Sequence, residues 1–168
     1  KEQGGVERVF SAQMADPTFP VPLSAMKSKL KFEDFTVGTV LYPADGIAVR
    51  TGPLRHPNGA TAYRVEHDGK SVCYVTDTEH MPGQPDEVVL DFIWNADLVI
   101  YDSTYTDDEF PAKVGWGHST WQEGVRLCQA ANVKRLALFH HDPDHNDVVM
   151  AEIEQQARSQ WSNVFAAR

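Results

Sequence analysis

The sequence predicts an α/β fold, and three patterns indicate it. From residue 86 onward, helical and strand patterns alternate, which is typical of parallel strands joined by helices. Before that point, short β-rich segments flank Asp68-Gly69, a dipeptide that favours a tight antiparallel hairpin. An apolar strand over residues 135–139 ends in a run of His and Asp, as strands do where an α/β sheet presents ligands at its carboxyl edge. The 168 residues suffice for one core, so we expect a single domain over residues 1–168.

Residues 1–36 are rich in turn residues and show no long apolar period. A short helix is predicted over residues 6–14, and one or two helical turns over residues 24–30. Three prolines between residues 16 and 22 fix φ and disfavour the α conformation before each of them, which predicts an extended segment there.

Four short strands are predicted in the next part of the chain, at residues 39–42, 47–50, 62–66 and 71–75. The first two are separated by a Pro-Ala-Asp-Gly turn sequence, and the last two by the Asp-Gly hairpin. The pattern therefore predicts antiparallel pairing in this half.

Helices and strands then alternate to the end of the chain. Helices are predicted at residues 86–94, 119–131 and 147–160, and strands at residues 97–101, 135–139 and 163–166. Thr120 and Glu123 have the spacing of a capping box, which indicates a helix start. Residues 106–117 lack periodicity and predict a loop over the site.

Charge and composition argue against several classes of protein. The net charge of −9 argues against general nucleic-acid binding, which needs clustered Lys and Arg. No apolar run is long enough to span a membrane, and no secretory signal pattern opens the chain, so we expect a cytoplasmic protein without membrane contact. Cys73 and Cys128 lack metal-site spacing and are predicted to be buried free thiols in a reducing compartment.

Polar side chains at strand ends are the candidates for chemistry. His56, Asp77 and His140 each stand at a strand edge, and two imidazoles with a carboxylate suit Zn²⁺ or a similar metal. His118, on a glycine-flanked loop at a helix start, could donate a proton to a leaving oxygen. Each has a structural alternative, since a lone His beside a strand is commonly a hydrogen-bonded or surface residue.

The alternatives apply to the other candidates as well. Asp77 could simply form a turn, and Asp102 could cap one. His141 and His145 are predicted to support the site or lie on the surface, and we expect no metal contact from them. His67, in a hairpin turn, and His80, in a loop, are both predicted to be solvated; these two complete the set of histidines outside the candidate site.

The ordered motifs resemble those of metallo-β-lactamase-fold hydrolases, above all the phosphodiesterase branch with ribonuclease Z and cyclic-nucleotide phosphodiesterases. The matching elements are His56 before Ala62-Tyr63-Arg64-Val65, Asp77 in Thr76-Asp77-Thr78, Asp102 after a strand, His118-Ser119-Thr120, and Leu138-Phe139-His140. Their order agrees over nearly the whole chain.

The resemblance implies a fold, a cofactor and a reaction. It implies a four-layer αββα sandwich and two divalent ions, Zn or Mn, held in part by His56, Asp77 and His140. It implies phosphodiester hydrolysis in which His118, oriented by Asp102, assists the leaving oxygen. The acidic charge favours a small phosphodiester such as a cyclic nucleotide over RNA, and a homodimer is compatible with these expectations.

One departure from the family bears on activity. The family's His-X-His-X-Asp-His motif, which supplies most ligands of the first metal, is absent from the chain. We therefore expect the chain to be the carboxyl-terminal portion of the fold, with its amino-terminal side incomplete. If the natural protein lacks the motif altogether, the alternative is a non-catalytic binding or regulatory module. A thioester or lactam hydrolase is a third interpretation, against which the His-Ser-Thr element argues.

Overall fold

The computed structural model describes residues 5–167 and divides the chain into two compact units, residues 1–36 and residues 37–168. We describe each unit by itself, and the single domain over the whole chain stays a prediction.

Over residues 5–36, the first unit contains one α-helix and one 3₁₀ turn. Helix α1 spans Gly5–Gln13 and has no buried residue, and the turn spans Leu23–Ala25. The helix contacts the end of the same unit: the backbone N–H of Val6 donates to the Asp34 carboxylate at 2.9 Å, and the rings of Phe10 and Phe32 lie 6.2 Å apart. The predicted helix over residues 24–30 is reduced to the short turn.

The second unit is a seven-stranded mixed sheet whose strands follow one another in chain order. The strands are β1 (Val40–Ala44), β2 (Ile47–Leu54), β3 (Ala60–His67), β4 (Lys70–Val75), β5 (Leu98–Asp102), β6 (Leu136–Phe139) and β7 (Val164–Ala166). The helices are α2 (Glu87–Ile93), α3 (Trp121–Ala130) and α4 (Asp147–Gln160). Strands β1 to β4 pair antiparallel, and β4 to β7 pair parallel. The predicted α/β class is confirmed.

The hairpin between β3 and β4 forms where the Asp-Gly pair predicts it. His67 pairs with Lys70, and the two residues between them both have positive φ, 47° at Asp68 and 69° at Gly69. A two-residue turn with positive φ at both positions matches the right-handed twist of the strands. This turn fixes the register of β3 against β4.

Strand β2 is longer than the predicted residues 47–50, because it continues through Gly52 and Pro53 to Leu54. Val40 is paired with Arg50, so beyond this point β1 no longer runs beside β2. Pro53 pairs with Thr61 of β3, and no second strand partner is found for it among residues 5–167. A proline without an N–H is tolerated on the free edge of a sheet, so the strand need not end there.

Helices α2, α3 and α4 connect successive parallel strands, and α3 contacts both of its neighbours. Right-handed crossovers between adjacent strands place all three helices on one face of the sheet. The core lies between these helices and the sheet, and its fully buried members include Ile93, Val99, Leu127 and Leu138. The second unit thus consists of one sheet covered by one helical layer.

Two composition-based predictions can be compared with the structure. Cys73 and Cys128 are both buried free thiols, as predicted, and burial raises the pKa of the Cys73 thiol to about 11. Within residues 5–167, no helix combines the length and apolar character needed to cross a membrane. The reducing compartment and the cytoplasmic location stay predictions.

Candidate metal centre

The candidate residues converge at the carboxyl edge of the parallel strands. Asp77 follows β4, Asp102 ends β5 and His140 follows β6 directly. Because β4, β5 and β6 are parallel neighbours, their carboxyl ends meet at one edge of the sheet. Asp77 and His140 both have a φ of 60°, which is the left-handed backbone conformation. Residues other than Gly adopt it rarely, and those that do are often found at functional sites.

Asp102 is a buried carboxylate that organises the surrounding loops. Its side chain is fully buried, and both oxygens accept several hydrogen bonds. The donors to Oδ2 are the backbone N–H groups of Asp77 and Thr78 and Nδ1 of His118; the donors to Oδ1 are the N–H and hydroxyl of Thr104 and the N–H of Ser119. These donors occupy the lone pairs of the carboxylate, so Asp102 is better suited to positioning its neighbours than to binding a metal.

His118 points one ring nitrogen at this carboxylate. Its Nδ1 lies 3.1 Å from Oδ2 of Asp102, and because a carboxylate only accepts, Nδ1 carries the hydrogen. This leaves Nε2 free to act on a ligand. The hydrogen bond to Asp102 raises the pKa of His118 above its ordinary value, with burial acting in the opposite direction. The ring also stacks on His140, with centroids 4.7 Å apart.

His140 lies between Thr104 and Asp77, and its neutral ring would turn Nε2 towards the Asp77 carboxylate as a metal-ligating nitrogen. The Thr104 hydroxyl has a single hydrogen, which it donates to the Asp102 carboxylate or the His140 carbonyl. Nδ1 of His140, 3.2 Å from that hydroxyl oxygen, is therefore the donor of its own hydrogen bond. Nε2 is then the unprotonated nitrogen, and it lies 3.5 Å from Oδ1 of Asp77. Two ligands of one tetrahedral Zn²⁺ at 2.0–2.1 Å would be roughly 3.4 Å apart, so this pair fits a shared metal.

His56 approaches the cluster from the loop after β2. Its ring lies 6.0 Å from that of His118, centroid to centroid. Its Nδ1 accepts a hydrogen bond of 3.2 Å from the backbone N–H of Asn58, so in this arrangement Nε2 carries the proton. Binding a metal through Nε2 would require this hydrogen bond to be given up.

The structure brings all five predicted residues together. Two sets have ligand atoms within 4.8 Å of one another: His56, Asp77 and His118, and Asp102, His118 and His140. His118 belongs to both sets, and the contact of Asp77 with His140 also joins them. The three predicted metal ligands are therefore spread around His118 and do not by themselves form one of these sets. Their roles stay predictions.

The remaining histidines lie outside these ligand sets. His67 is exposed and contacts the carbonyl of Gly46, as expected for a hairpin residue. His80 was predicted to be solvated, and this prediction is wrong: it is only 6% exposed and stacks on the ring of Phe110 at 4.1 Å. A loop residue can be buried when distant segments pack on it. His141 and His145 contact the Ala167 carbonyl and the Glu109 carboxylate, respectively.

Glu79 is a site residue that the sequence interpretation did not include. Its carboxylate accepts hydrogen bonds from the N–H groups of Gly115 and Gly117, at 2.7–2.9 Å. Its own N–H donates to the carbonyl of Arg55 at 2.7 Å. Glu79 thereby joins the loops that carry His56 and His118. The Gly-X-Gly spacing at residues 115–117 was the available signal, because glycine readily adopts the positive φ, near 90°, that both residues have in the structure.

Comparison with known proteins identifies the family. A family model described as the beta-lactamase superfamily domain matches residues 5–141, most of the chain. The chain belongs to the beta-lactamase superfamily. The metallo-β-lactamase resemblance of the ordered motifs is therefore confirmed at the level of the family.

Two curated proteins that are similar to this chain are called ribonuclease Z. The protein from Thermoplasma volcanium is 33% identical over 100 residues, which cover 59% of this chain and 30% of the relative. That from Sulfurisphaera tokodaii is 36% identical over 105 residues, covering 62% of this chain and 33% of the relative. The chain therefore spans about a third of the length of these relatives.

Solved structures agree on the fold of the superfamily. The metallo-beta-lactamase fold protein YhfI from Bacillus subtilis aligns with a TM-score of 0.69 and 22% identity, covering 82% of this chain and 53% of YhfI. The short form of human tRNase Z aligns with a TM-score of 0.56 and 20% identity, covering 77% and 43% of the two chains. These likenesses establish a metallo-β-lactamase fold.

Proposed function

We propose that the natural polypeptide containing this chain is a metal-dependent hydrolase of phosphodiester bonds. The observation that carries the proposal is the buried Asp102, whose oxygens hold His118 and the backbone of Asp77 at one edge of the sheet. Membership of the superfamily and the relatives named ribonuclease Z support the reaction class. Because the chain spans only part of those relatives, the activity of the whole protein is part of the proposal.

The residues of this chain fit a divalent metal centre. Asp77 and His140 would hold an ion between the carboxylate and Nε2, and His56 would complete the ligand set from the opposite loop. When bound, Zn or Mn ions supply Lewis acidity, which activates water and offsets charge on a phosphoryl group. The resemblance implies two such ions, with further ligands from outside this chain.

His118 would act as the proton donor. Nδ1 is committed to Asp102, so Nε2 is the atom that meets the substrate. A proton held there can pass to the leaving oxygen as the phosphorus–oxygen bond breaks. Asp102 does not touch the substrate in this scheme; it fixes the tautomer and the direction of the imidazole, which makes it a positioning residue.

The class of phosphodiester follows from two opposing observations. The net charge of −9 favours a small substrate such as a cyclic nucleotide, whereas the relatives named ribonuclease Z favour RNA.

Two side chains near His118 support RNA. Trp116 is 60% exposed, and the Lys113 ammonium lies 4.6 Å from its ring. An exposed indole can stack on a nucleobase, and a neighbouring ammonium can meet a phosphate. We therefore place RNA first and the cyclic nucleotide second.

Hydrolysis assays test the proposal. The natural polypeptide containing this chain, supplied with Zn²⁺ or Mn²⁺, is expected to cleave an RNA phosphodiester faster than a cyclic nucleotide. His118→Ala should lower the rate about 100-fold or more, while His67→Ala, an exposed hairpin histidine, should leave it unchanged. Absence of cleavage with metal bound would contradict the hydrolase and favour the non-catalytic module.

A further inference from the structure

A cavity lies on the helical side of the sheet, and it is separate from the candidate metal centre. Its volume is about 860 Å³, and residues of the loop 80–85, helix α2, the segment 107–114 and helix α3 line it. None of the five predicted site residues is among the lining residues. Small-molecule sites typically enclose roughly 300–1,000 Å³, so the cavity has room for a ligand of that size.

The cavity wall is mainly apolar and includes stacked flat rings. Leu90 of α2 and Leu127 of α3 line it together with Phe110 and His80. The rings of His80 and Phe110 stack with centroids 4.1 Å apart and planes 18° apart. Such a wall favours a planar apolar ligand, because rings offer large contact areas and prefer offset or edge contacts with other rings.

His80 is a buried polar residue of this wall, and one of its ring nitrogens has no partner among the described residues. The residue is 6% exposed, and its Nδ1 lies 2.8 Å from the hydroxyl of Ser119. No hydrogen bond to Nε2 is recorded among residues 5–167, and Nε2 is not one of the fully buried side-chain atoms that lack a partner, so solvent or a ligand can reach it. Nε2 is on the far side of the ring from Ser119, so it is the atom that His80 offers to the cavity.

Hydrogen-bond accounting assigns a proton to this atom. The hydroxyl of Tyr101, a fully buried residue, lies 3.0 Å from the Ser119 hydroxyl oxygen. If Tyr101 donates to Ser119, then Ser119 donates to Nδ1 of His80, and every hydroxyl hydrogen has an acceptor. The reverse order leaves the Tyr101 hydrogen without a described acceptor. Burial lowers the pKa of His80, so the neutral ring carries its single proton on Nε2.

The charged residues of the wall do not favour an anion. The Arg126 guanidinium donates to the Glu123 carboxylate at 2.7 Å and to the Asp107 carboxylate at 2.8 Å. Two carboxylates thus surround one guanidinium that is already engaged, which leaves this side of the cavity with an excess negative charge. A neutral ligand enters without repulsion from these carboxylates.

We propose that this cavity binds a neutral heteroaromatic small molecule, with a ring acceptor atom opposite Nε2–H of His80. The ligand would stack in the apolar part of the cavity and complete the hydrogen bonding of His80. Ser119 connects this site to the metal centre, because it bonds His80, follows His118 in the chain and donates its N–H to Asp102. The site requires neither a bound metal nor catalysis.

Quinoline and naphthalene test the proposal, since they have the same shape and differ by one ring acceptor. Binding to the full chain is measured by NMR titration at pH 7.5, where quinoline is neutral. We expect quinoline to bind about 10-fold more tightly than naphthalene, as one added hydrogen bond allows. His80→Phe keeps a stacking ring but lacks the N–H, so the preference should disappear. The control His67→Phe, in the exposed hairpin, should retain the preference for quinoline over naphthalene.

A second variant tests the location of the site independently of the folding of His80→Phe. Ala130 lines the cavity from an exposed helical position, so Ala130→Trp should place an indole in part of the cavity without disturbing the core and weaken the binding of both ligands. Equal affinity of the two ligands for the unmodified chain overturns the proposal. So does a quinoline preference that persists in folded His80→Phe, or the absence of quinoline binding at millimolar concentration. Because no metal is needed, these results are independent of the hydrolase proposal.

Discussion

Nδ1 of His118 lies 3.1 Å from Oδ2 of Asp102, and that same oxygen accepts the backbone N–H groups of Asp77 and Thr78. One buried anion therefore fixes both the proposed proton donor and the loop that carries a proposed metal ligand. A carboxylate can do this because its two oxygens accept several hydrogen bonds without donating any. The geometry of the site thus depends on a residue that need not touch a substrate.

The first prediction concerns the charge of Asp102. Asp102→Asn replaces one accepting oxygen by an NH₂ group, which would face donors and leave several of them unsatisfied. Each unsatisfied buried group costs about 1–3 kcal/mol, so we expect a loss of roughly 3 kcal/mol or more in the free energy of unfolding. Urea denaturation followed by circular dichroism measures the change.

Asp108→Asn is the matched control, because Asp108 is exposed in the neighbouring loop. It should change the free energy of unfolding by less than about 0.5 kcal/mol. Equal stability of the two variants would show that the buried carboxylate does not organise the site.

Two glycines of one loop provide the second prediction. Gly115 and Gly117 have φ of 90° and 91°, so alanine at either position is strained. At Gly117 an added Cβ would lie within 3 Å of the His56 ring, whereas at Gly115 nothing lies within 4 Å. Both variants should lose about 1 kcal/mol of stability, and only Gly117→Ala should also displace His56 and weaken metal binding. Isothermal titration with Zn²⁺ distinguishes them; equal affinities would contradict a role for His56.

Glu79 allows a third prediction on the dynamics of the loop. Glu79→Gln removes the charge and one of the two acceptors that hold Gly115 and Gly117. Hydrogen exchange of these two amides should accelerate, while the amides of β5 exchange as before. Glu87→Gln, an exposed change at the start of α2, serves as the control. Unchanged exchange in Glu79→Gln would show that the loop is held by other contacts.

The fourth prediction is a pH dependence that originates away from the site. A hydrogen bond from Lys134, followed by one from the Ser71 N–H, lowers the pKa of Asp97 to about 2, from an ordinary value of 3.8. Because the folded pKa is depressed, Asp97 stabilises the fold above pH 3.8, and this contribution is lost as the pH falls towards 2. NMR titration of the carboxyl carbon should give a pKa near 2.

The same titration in Lys134→Met should shift the Asp97 midpoint up towards its ordinary value. Lys113→Met, which removes an ammonium that lies beside Tyr105 and Trp116, should leave the Asp97 midpoint unchanged. An unshifted midpoint in Lys134→Met would rule out the ammonium as the main cause. Added salt should reduce the effect, because the Lys134 side chain is largely exposed to solvent.

The parts of the structure that local rules determine were predictable from the sequence. The Asp68-Gly69 turn needs positive φ at both residues, and the alternation after residue 86 specifies parallel strands whose carboxyl ends meet. These two features suffice to place Asp77, Asp102 and His140 along one edge.

Features that depend on contacts between distant segments were not predictable in this way. Burial of His80 requires Phe110, thirty residues away, to pack on its ring. The extension of β2 through Pro53 depends on where β1 ends, and the role of Glu79 depends on a loop more than thirty residues further along. Local propensity carries no information on these pairings.

Metal affinity of the natural polypeptide that contains this chain tests the central claim most directly. After removal of metals, Zn²⁺ is titrated into the unmodified protein, His140→Ala and His67→Ala, and heat is recorded by calorimetry. We predict that His140→Ala weakens Zn²⁺ binding at least 10-fold, while His67→Ala matches the unmodified protein. Equal Zn²⁺ affinity in all three proteins, or no binding to any, would contradict a metal centre at this edge of the sheet.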